Sequence, residues 1–205
     1  MLGLSAGLHY PKFTSSIIRL NVGRKGFIQG VSNSNFTTAH QMPNASSIAD
    51  TATGTKTIQY LQTSSRGGTS HRFQRIYLYF NVSGVSTISS AKLELKFSST
   101  PDANLILIPS TAFGGDGGTA LGALDYFVNS DYTSAPYSDS YTVDGTSGVK
   151  AIPLSAAGVN AINNNDSFIT ALIEYDVDEQ ISDPGSSTNR TTTIDLSSEV
   201  VLILQ

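Results

Sequence analysis

The stretch RIYLYFNVSGVSTISSAKLELKF, residues 75–97, decides the fold class of this chain. Apolar and polar residues alternate at both of its ends, and a period of two indicates a β-strand with one buried face. The side chains predicted to face the core are Ile76, Leu78, Phe80, Val82, Ala91, Leu93, Leu95 and Phe97. Those predicted to face solvent are Arg75, Tyr77, Tyr79, Asn81, Lys92, Glu94 and Lys96. The connection SGVSTISS is longer than a two-residue hairpin loop, so it could cross between sheets.

Further strands are predicted on both sides of this stretch. Residues 16–22 and 27–31 flank the turn GRKG and predict a hairpin, whereas residues 32–44 and 64–71 are predicted to be loops. The fully apolar NLILI, residues 104–108, indicates a strand covered on both faces.

The C-terminal third of the chain continues the same pattern. Ser155 has the position of an N-cap before about two turns of helix. Residues 167–177 predict one long strand, residues 178–189 predict a loop, and the apolar residues 200–204 predict a closing strand in the middle of a sheet. About eight to ten short strands with Gly-rich turns predict an all-β, antiparallel jelly-roll sandwich with one or two short helices. The predicted division is an N-terminal arm or hairpin extension, residues 1–45, followed by the sandwich, residues 46–205.

The composition favours some classes of protein over others. Charged residues make up 14% of the chain, while Ser, Thr and Asn make up roughly a third of it, which is typical of extracellular β-proteins and viral shells. The net charge of −4 provides no basic field for nucleic acid. The chain has no cysteine, which excludes disulfides, thiolate nucleophiles and zinc–thiolate sites.

The targeting signals predict neither export nor a membrane anchor. The N-terminal residues lack the basic and apolar regions of a signal peptide, and no run approaches the ~18 apolar residues of a membrane helix. A virion protein, made in the host cytoplasm and released by lysis, would combine an extracellular type of surface with the lack of a leader.

Several motifs resemble those of a known module. RIYLYFNVSGV followed by ISSAKLELKF is similar to the signature half of the DNRLRE-type jelly-roll modules, and IADT, IPLSAAGVNAIN, SFITALIEYD and LSSEVVLIL resemble their other elements. The likeness spans residues 48–205, but this chain has no Trp and carries Asn81 where the modules carry Asp. The resemblance implies a fold similar to carbohydrate-binding modules, found in adhesins, surface proteins and phage structural proteins. The opening MLGL is similar to the start of many tailed-phage virion proteins.

Candidate chemistry is sparse. His9, His40 and His71 lie far apart without metal-ligand spacing, and no GxSxG motif supports a serine hydrolase. Asp176 and Asp178 would share a face of an extended strand and form a weak calcium candidate. The alternative for these two aspartates is a solvated strand end. Because the candidate chemistry is so sparse, we expect no catalytic residue, no metal and no cofactor.

The tyrosines are the candidate contact residues. Aromatic hydroxyl side chains serve protein interfaces and also stack on sugar rings. The predicted set is Tyr77, Tyr79, Tyr126, Tyr132 and Tyr137. Alternatively, Tyr77 and Tyr79 lie beneath a neighbouring loop.

The N-terminal segment supplies a second candidate interface. Its apolar side chains must be covered by the same subunit or by a neighbour. The predicted interface residues are Leu2, Leu4, Leu8, Ile17 and Ile18. An additional hairpin that completes the same sandwich is the alternative.

Two functions follow from these observations. The first is a non-enzymatic structural protein of a phage virion, placed as a capsid decoration, a minor capsid protein or a tail component. It would contact other virion proteins and form a homo-oligomer, without nucleic acid or membrane as a partner. The second is a carbohydrate-binding or adhesion module, with a glycan as the possible partner.

Overall fold

The computed structural model describes residues 16–32, 35–42, 48–66, 68–98, 103–126, 129–142 and 145–205. The helices in this part of the chain are α1 (Phe36–Gln41), α2 (Asn129–Thr133) and α3 (Ala156–Asn164). The strands are β1 (Ile18–Asn21), β2 (Arg24–Ser32), β3 (Ile48–Ala49), β4 (Thr55–Ser65), β5 (Gly68–Asn81), β6 (Ala91–Phe97), β7 (Asn104–Pro109), β8 (Tyr141–Thr142), β9 (Gly148–Pro153), β10 (Ser167–Glu174), β11 (Thr188–Asp195) and β12 (Val201–Leu204).

The strands form one antiparallel sheet that folds over into two layers. The first layer has the order β9–β6–β12–β1. The second has the order β2–β5–β10–β7–β8, with β4 beside the first half of β5. The layers are joined by β11, which pairs with β4 along its length and meets β6 where Ile194 faces Phe97. The predicted all-β, antiparallel, sandwich-like fold is confirmed.

The main hydrophobic core lies between the two layers. It contains the predicted inward side chains of β5 and β6, including Ile76, Leu78, Leu93 and Leu95, all with zero exposure. Burying a side chain of this size contributes about 1.5–3 kcal/mol. The period-two pattern therefore identified the inward face of both strands correctly.

A second core covers the opposite face of β5, and here the prediction of a solvent-facing strand is wrong. Arg75 is fully buried and Tyr77 is 2% exposed, while Tyr79 is half-buried. This face is covered by α1, by the 3-10 turn Ala112–Gly115, and by Leu121 and Tyr126 on either side of the 3-10 turn Ala123–Asp125. Alternation shows which residues share a face, but not which distant segment packs against that face.

The predicted hairpin of β1 and β2 is also wrong. β1 pairs with β12, where Ile18 faces Leu204, and β2 pairs with β5 over nine residues. Between them the Gly23 N–H donates to the Tyr79 carbonyl over 2.8 Å. A side chain at Gly23 would lie 3.0 Å from the Tyr79 ring. Residues 22 and 23 therefore carry the chain from one layer to the other, since the rest of GRKG belongs to β2. Both strands of the predicted extension pair with strands of the sandwich.

Two segments predicted as loops are ordered differently. In residues 32–44, Asn35 caps α1, because its Oδ1 accepts the Thr38 N–H over 2.9 Å. In residues 64–71, β4 and β5 continue as a hairpin to the pair Ser65 and Gly68. A polar composition alone did not distinguish these elements from irregular loops.

Several local predictions are confirmed. Ser155 caps α3 by accepting the Gly158 N–H, and Pro153 ends β9. β7 is buried on both faces, and β12 lies between β1 and β6. The predicted strand at residues 167–177 is shorter, because β10 ends at Glu174 and a π-helical turn, Tyr175–Glu179, follows.

Candidate functional site

A buried ion pair occupies the centre of the second core. The Arg75 guanidinium donates from Nε to Asp178 Oδ2 over 2.8 Å and from Nη2 to Asp178 Oδ1 over 2.7 Å. Both side chains have zero exposure. The pair joins the central strand β5 to the π-helical turn that follows β10.

The remaining donors of Arg75 bind the loops that cover it. Nη1 donates to the Tyr126 carbonyl over 2.5 Å, and Nη2 donates to the His40 carbonyl over 2.9 Å. The rings of Tyr126 and Tyr132 lie with their centroids 4.1 and 5.4 Å from the guanidinium carbon. One arginine therefore holds α1, the segment at Tyr126 and the π-helical turn together.

Charge and burial act in opposite directions on the ionisable groups of this cluster. Burial would raise the pKa of Asp178, but the charge of Arg75 and the hydrogen bonds of Arg75 and His40 outweigh it and lower the pKa to about 2. Burial raises the pKa of Tyr77, Tyr126 and Tyr132 well above the ordinary value. The cluster therefore holds one charged pair surrounded by neutral phenols.

Glu174 caps the π-helical turn from within the protein. It is fully buried, and its carboxylate accepts the N–H groups of Asp176, Val177 and Asp178 over 3.0, 2.7 and 3.2 Å. Burial raises the pKa of Glu174 to about 7, against the opposing effect of these hydrogen bonds. This side chain therefore orients the turn that carries Asp178.

The cluster is built to fix structure. Its hydrogen bonds join side chains to backbone carbonyls of three separate segments, and the ion pair is closed off from solvent by aromatic rings. Such an arrangement can hold a loop layer on a sheet and can set the position of the chain beyond Glu179. No pattern in the sequence predicts this cluster, because its members are distributed along the chain from α1 to the π-helical turn.

The structure does not bring the predicted contact tyrosines together on a surface. Tyr77 and Tyr126 are core residues, and the Tyr77 hydroxyl donates to the Tyr126 carbonyl over 2.9 Å. Tyr132 is half-buried and donates to Asp178, and Tyr137 stacks on Phe168 with ring centroids 5.0 Å apart. The alternative that neighbouring loops cover Tyr77 is confirmed. These side chains are occupied by packing and hydrogen bonds within the chain.

The two aspartates of the calcium candidate have different surroundings. The premise of an extended strand is wrong, since both lie in the π-helical turn. The Asp176 carboxylate contacts Arg190 Nη1 at 3.0 Å, while that of Asp178 binds Arg75. Within the described ranges, no three His, Asp or Glu side chains are grouped to hold a metal ion.

The histidines have structural surroundings where they are described. His40 Nε2 lies 3.0 Å from Asp178 Oδ1, and His71 Nδ1 lies 3.2 Å from the Tyr60 hydroxyl. Both imidazoles pack on the Phe36 ring. His9 lies outside the described residues.

The predicted N-terminal interface is described only in part. Ile17 is 60% exposed, and Ile18 packs against the main core from β1. Leu2, Leu4 and Leu8 lie outside the described residues. Of the two described members of that set, Ile17 is exposed and Ile18 is partly buried against the core.

The first layer presents a broad surface that the sequence analysis did not identify as a site. Strand register places ten side chains on it, and we call this set the outer face. Three of its cationic side chains are 43–54% exposed, whereas that of Glu94 is 20% exposed. The ten residues are Arg19, Asn21, Lys92, Glu94, Lys96, Val149, Ala151, Pro153, Val201 and Ile203.

The outer face combines apolar and charged groups. Val149 is 67% exposed, while Val201 and Ile203 are each 3% exposed beneath the long charged side chains around them. Arg19 reaches across β12 to bind Glu94 over 2.9 Å. A depression of about 440 Å³ lies here, lined by Arg19, Glu94, Lys96, Val149, Ser197, Ser198, Glu199 and Val201.

A second surface feature is the loop at residues 179–183, which we call the Ile181 loop. Ile181 is 48% exposed and has a φ of 49°, a conformation that a β-branched residue rarely adopts. Glu179 and Asp183 flank it. The sequence predicted a loop here, but no sequence pattern predicts that its isoleucine is exposed and has a positive φ.

No helix among the residues described is long and apolar enough to cross a membrane. No family model matches this chain, and no curated protein sequence matches it.

Proposed function

We propose that this chain is a non-enzymatic structural protein of a phage virion, acting as a capsid decoration, minor capsid or tail component through protein–protein contacts. The observation that carries the proposal is the outer face, where a 67% exposed valine lies among three partly exposed cationic side chains. Mixed surfaces of this kind on a rigid sheet are suited to binding another protein.

The interior supports a role as a rigid scaffold. Two hydrophobic cores lie on opposite faces of β5. Arg75, through its pair with Asp178 and its other hydrogen bonds, holds α1, the segment at Tyr126 and the π-helical turn on the second core. A preorganised surface loses little conformational entropy when it binds. The composition and the resemblance to modules found in phage structural proteins support the assignment to a virion.

The test is the protein content of purified particles. Particles from the source of this sequence would be banded on a density gradient, washed in high salt, and analysed by mass spectrometry and by crosslinking. We expect this chain at a fixed copy number relative to the major shell protein, with crosslinks from Lys92 and Lys96 to a neighbour. Its absence from washed particles would overturn the proposal.

A second candidate, glycan binding, is favoured by one observation. A cleft of about 570 Å³ beside α3 is lined by Val82, Gly84, Val85, Ile162, Asn163, Asn164, Asn165 and Asp166. Amide and carboxylate groups of this kind hydrogen-bond sugar hydroxyls. A glycan array with the full chain tests this candidate, and Asn164→Ala with Asp166→Ala should abolish any binding that occurs in the cleft.

A further inference from the structure

The first layer ends in two edge strands, β9 on one side and β1 on the other. Beside β1, the Val22 N–H donates to the Val200 carbonyl over 3.0 Å, in the same register that pairs β1 with β12. Hydrogen-bonded positions alternate along an antiparallel pair, so Arg19 and Asn21 direct their backbone N–H and C=O groups away from β12. Among the described residues, no group is bonded to these outward backbone atoms.

A proline interrupts the outward edge of β9, but none interrupts that of β1. The Leu154 N–H donates to the Ala91 carbonyl over 2.9 Å, so the outward positions of β9 are 149, 151 and 153. Pro153 has no N–H to donate to a neighbouring strand. β1 contains no proline. Backbone pairing with a further strand is therefore obstructed along β9 and available along β1.

Burial also distinguishes the two edges. Ile152, which faces the main core from β9, has zero exposure, and so has Leu202 on β12. The three core-facing side chains of the β1 edge are only partly buried against the same core. They are Ile18, Leu20 and Val22. Apolar surface is therefore accessible along the β1 edge, where one further strand would cover it.

A second copy of β1, antiparallel to the first, matches this edge when Leu20 lies on the two-fold axis. Leu20 then faces its own counterpart, and Ile18 of each copy faces Val22 of the other. All three partly buried side chains meet one another in this register, while Arg19 faces Asn21. A register centred on Arg19 would instead set two guanidinium groups opposite each other, which is destabilising.

The contacts that β1 already makes are compatible with this pairing. Arg19 Nη2 binds Glu94 across β12 over 2.9 Å, so its guanidinium is directed away from the open edge. Ile17 is 60% exposed, and the same register places it opposite Gly23 of the other copy, which has no side chain to obstruct it. The pairing therefore requires no ion pair of β1 to break.

We propose that two copies of this chain form a two-fold dimer in which their β1 strands pair antiparallel around Leu20 and join the two first layers into one continuous sheet. This inference rests on the proposed function, since it names how the structural protein contacts its own copies. The contact is isologous, so it closes at a dimer. The outer faces of the two copies then lie side by side and remain accessible to other proteins.

Sedimentation velocity of the full chain over a range of protein concentrations tests the dimer. We expect the wild type to dimerise. Asn21→Pro removes an outward N–H and none that β12 accepts, so it should stay folded by circular dichroism and weaken dimerisation about tenfold or more. Ala151→Pro makes the same change at an outward position of β9. It is the matched control and should dimerise like the wild type.

Cysteine crosslinking tests the register without the proline variants. The chain has no cysteine, so one introduced thiol reports one contact. In a glutathione redox buffer, Leu20→Cys should form a disulfide-linked dimer, because the Cα atoms of such an opposed pair lie about 4.5 Å apart. Arg19→Cys alone should stay unlinked, whereas its mixture with Asn21→Cys should form linked heterodimers.

Three results would overturn the inference: a monomeric wild type at all concentrations, equal dimerisation of Asn21→Pro and Ala151→Pro, or linking of Arg19→Cys alone without linking of Leu20→Cys. None of them would affect the proposed function, which depends on whether the chain is present in washed particles. Conversely, absence from particles would leave the dimerisation experiments fully interpretable.

Discussion

Arg75 and Asp178, 103 positions apart in the chain, form a two-bond ion pair from which solvent is excluded. The pair connects the central strand to the turn that precedes the Ile181 loop. Removing one member of such a pair leaves a buried charge without its partner, which costs far more than the loss of an exposed ion pair.

We therefore expect Asp178→Asn to reduce the free energy of unfolding by about 3–5 kcal/mol. Urea denaturation followed by circular dichroism measures this loss. Arg19→Ala, which removes the partly exposed pair with Glu94, is the control and should cost less than about 1 kcal/mol. Equal losses for the two variants would contradict the conclusion that the buried Arg75–Asp178 pair contributes more to stability than the partly exposed Arg19–Glu94 pair.

The pKa of Glu174, raised from 4.5 to about 7, predicts a pH dependence of stability. Since the folded state binds this proton more tightly than the unfolded state, Glu174 stabilises the fold below pH 4.5, and this contribution is lost as the pH rises to about 7. Urea midpoints between pH 4.5 and 7.5 measure the slope. Glu174→Gln should flatten it, and an unchanged slope in that variant would show that another group is responsible.

Asp178 predicts the opposite dependence at lower pH. Its folded-state pKa of about 2 lies below the ordinary value of 3.8. Its contribution is therefore fully present above pH 3.8 and is lost as the pH falls towards 2. Acid unfolding of the wild type should accordingly steepen below pH 4, and Asp178→Asn should lack this component. A parallel acid transition in both proteins would refute the assignment.

Gly30 on β2 is expected to be intolerant of a side chain. A Cβ there would overlap the Tyr126 hydroxyl and the Ala39 carbonyl, which bond to each other over 2.7 Å. Gly30→Ala should lower the free energy of unfolding by about 1–3 kcal/mol. Gly122→Ala is the matched control, because a Cβ there meets no atom within 4 Å. Differential scanning calorimetry of the two variants distinguishes them.

The cap of α1 provides a milder test of the loop layer. Asn35→Ala removes the acceptor of the Thr38 N–H and should cost about 1 kcal/mol. Asn35→Asp keeps the acceptor and should retain most of the stability. Hydrogen exchange of the α1 amides measures the local effect, and equal protection in the two variants would show that the cap contributes little.

The accuracy of the sequence-based predictions depended on how local their physical cause was. The inward residues of β6 and the Ser155 cap were predictable, because alternation and capping depend on neighbours within a few positions. The pairing of β1 with β12 was not, because a strand's own residues do not identify its partner. The burial of Tyr77 and Tyr126, two members of the candidate contact set, was not predictable for the same reason, since the segments that cover them are distant in the chain.

The spacing of apolar residues along the chain was sufficient to predict an antiparallel β-protein with a large buried core. Hydrophobic burial depends on which residues share a strand face, and that is written into their spacing. Only the tertiary structure decided three features: the second core, the ion pair at Arg75 and the position of Ile181. Each depends on contacts between segments that are far apart in the chain. The free energy of a buried charge depends on the groups that surround it in the folded protein. The spacing of residues along the chain does not determine which groups those are.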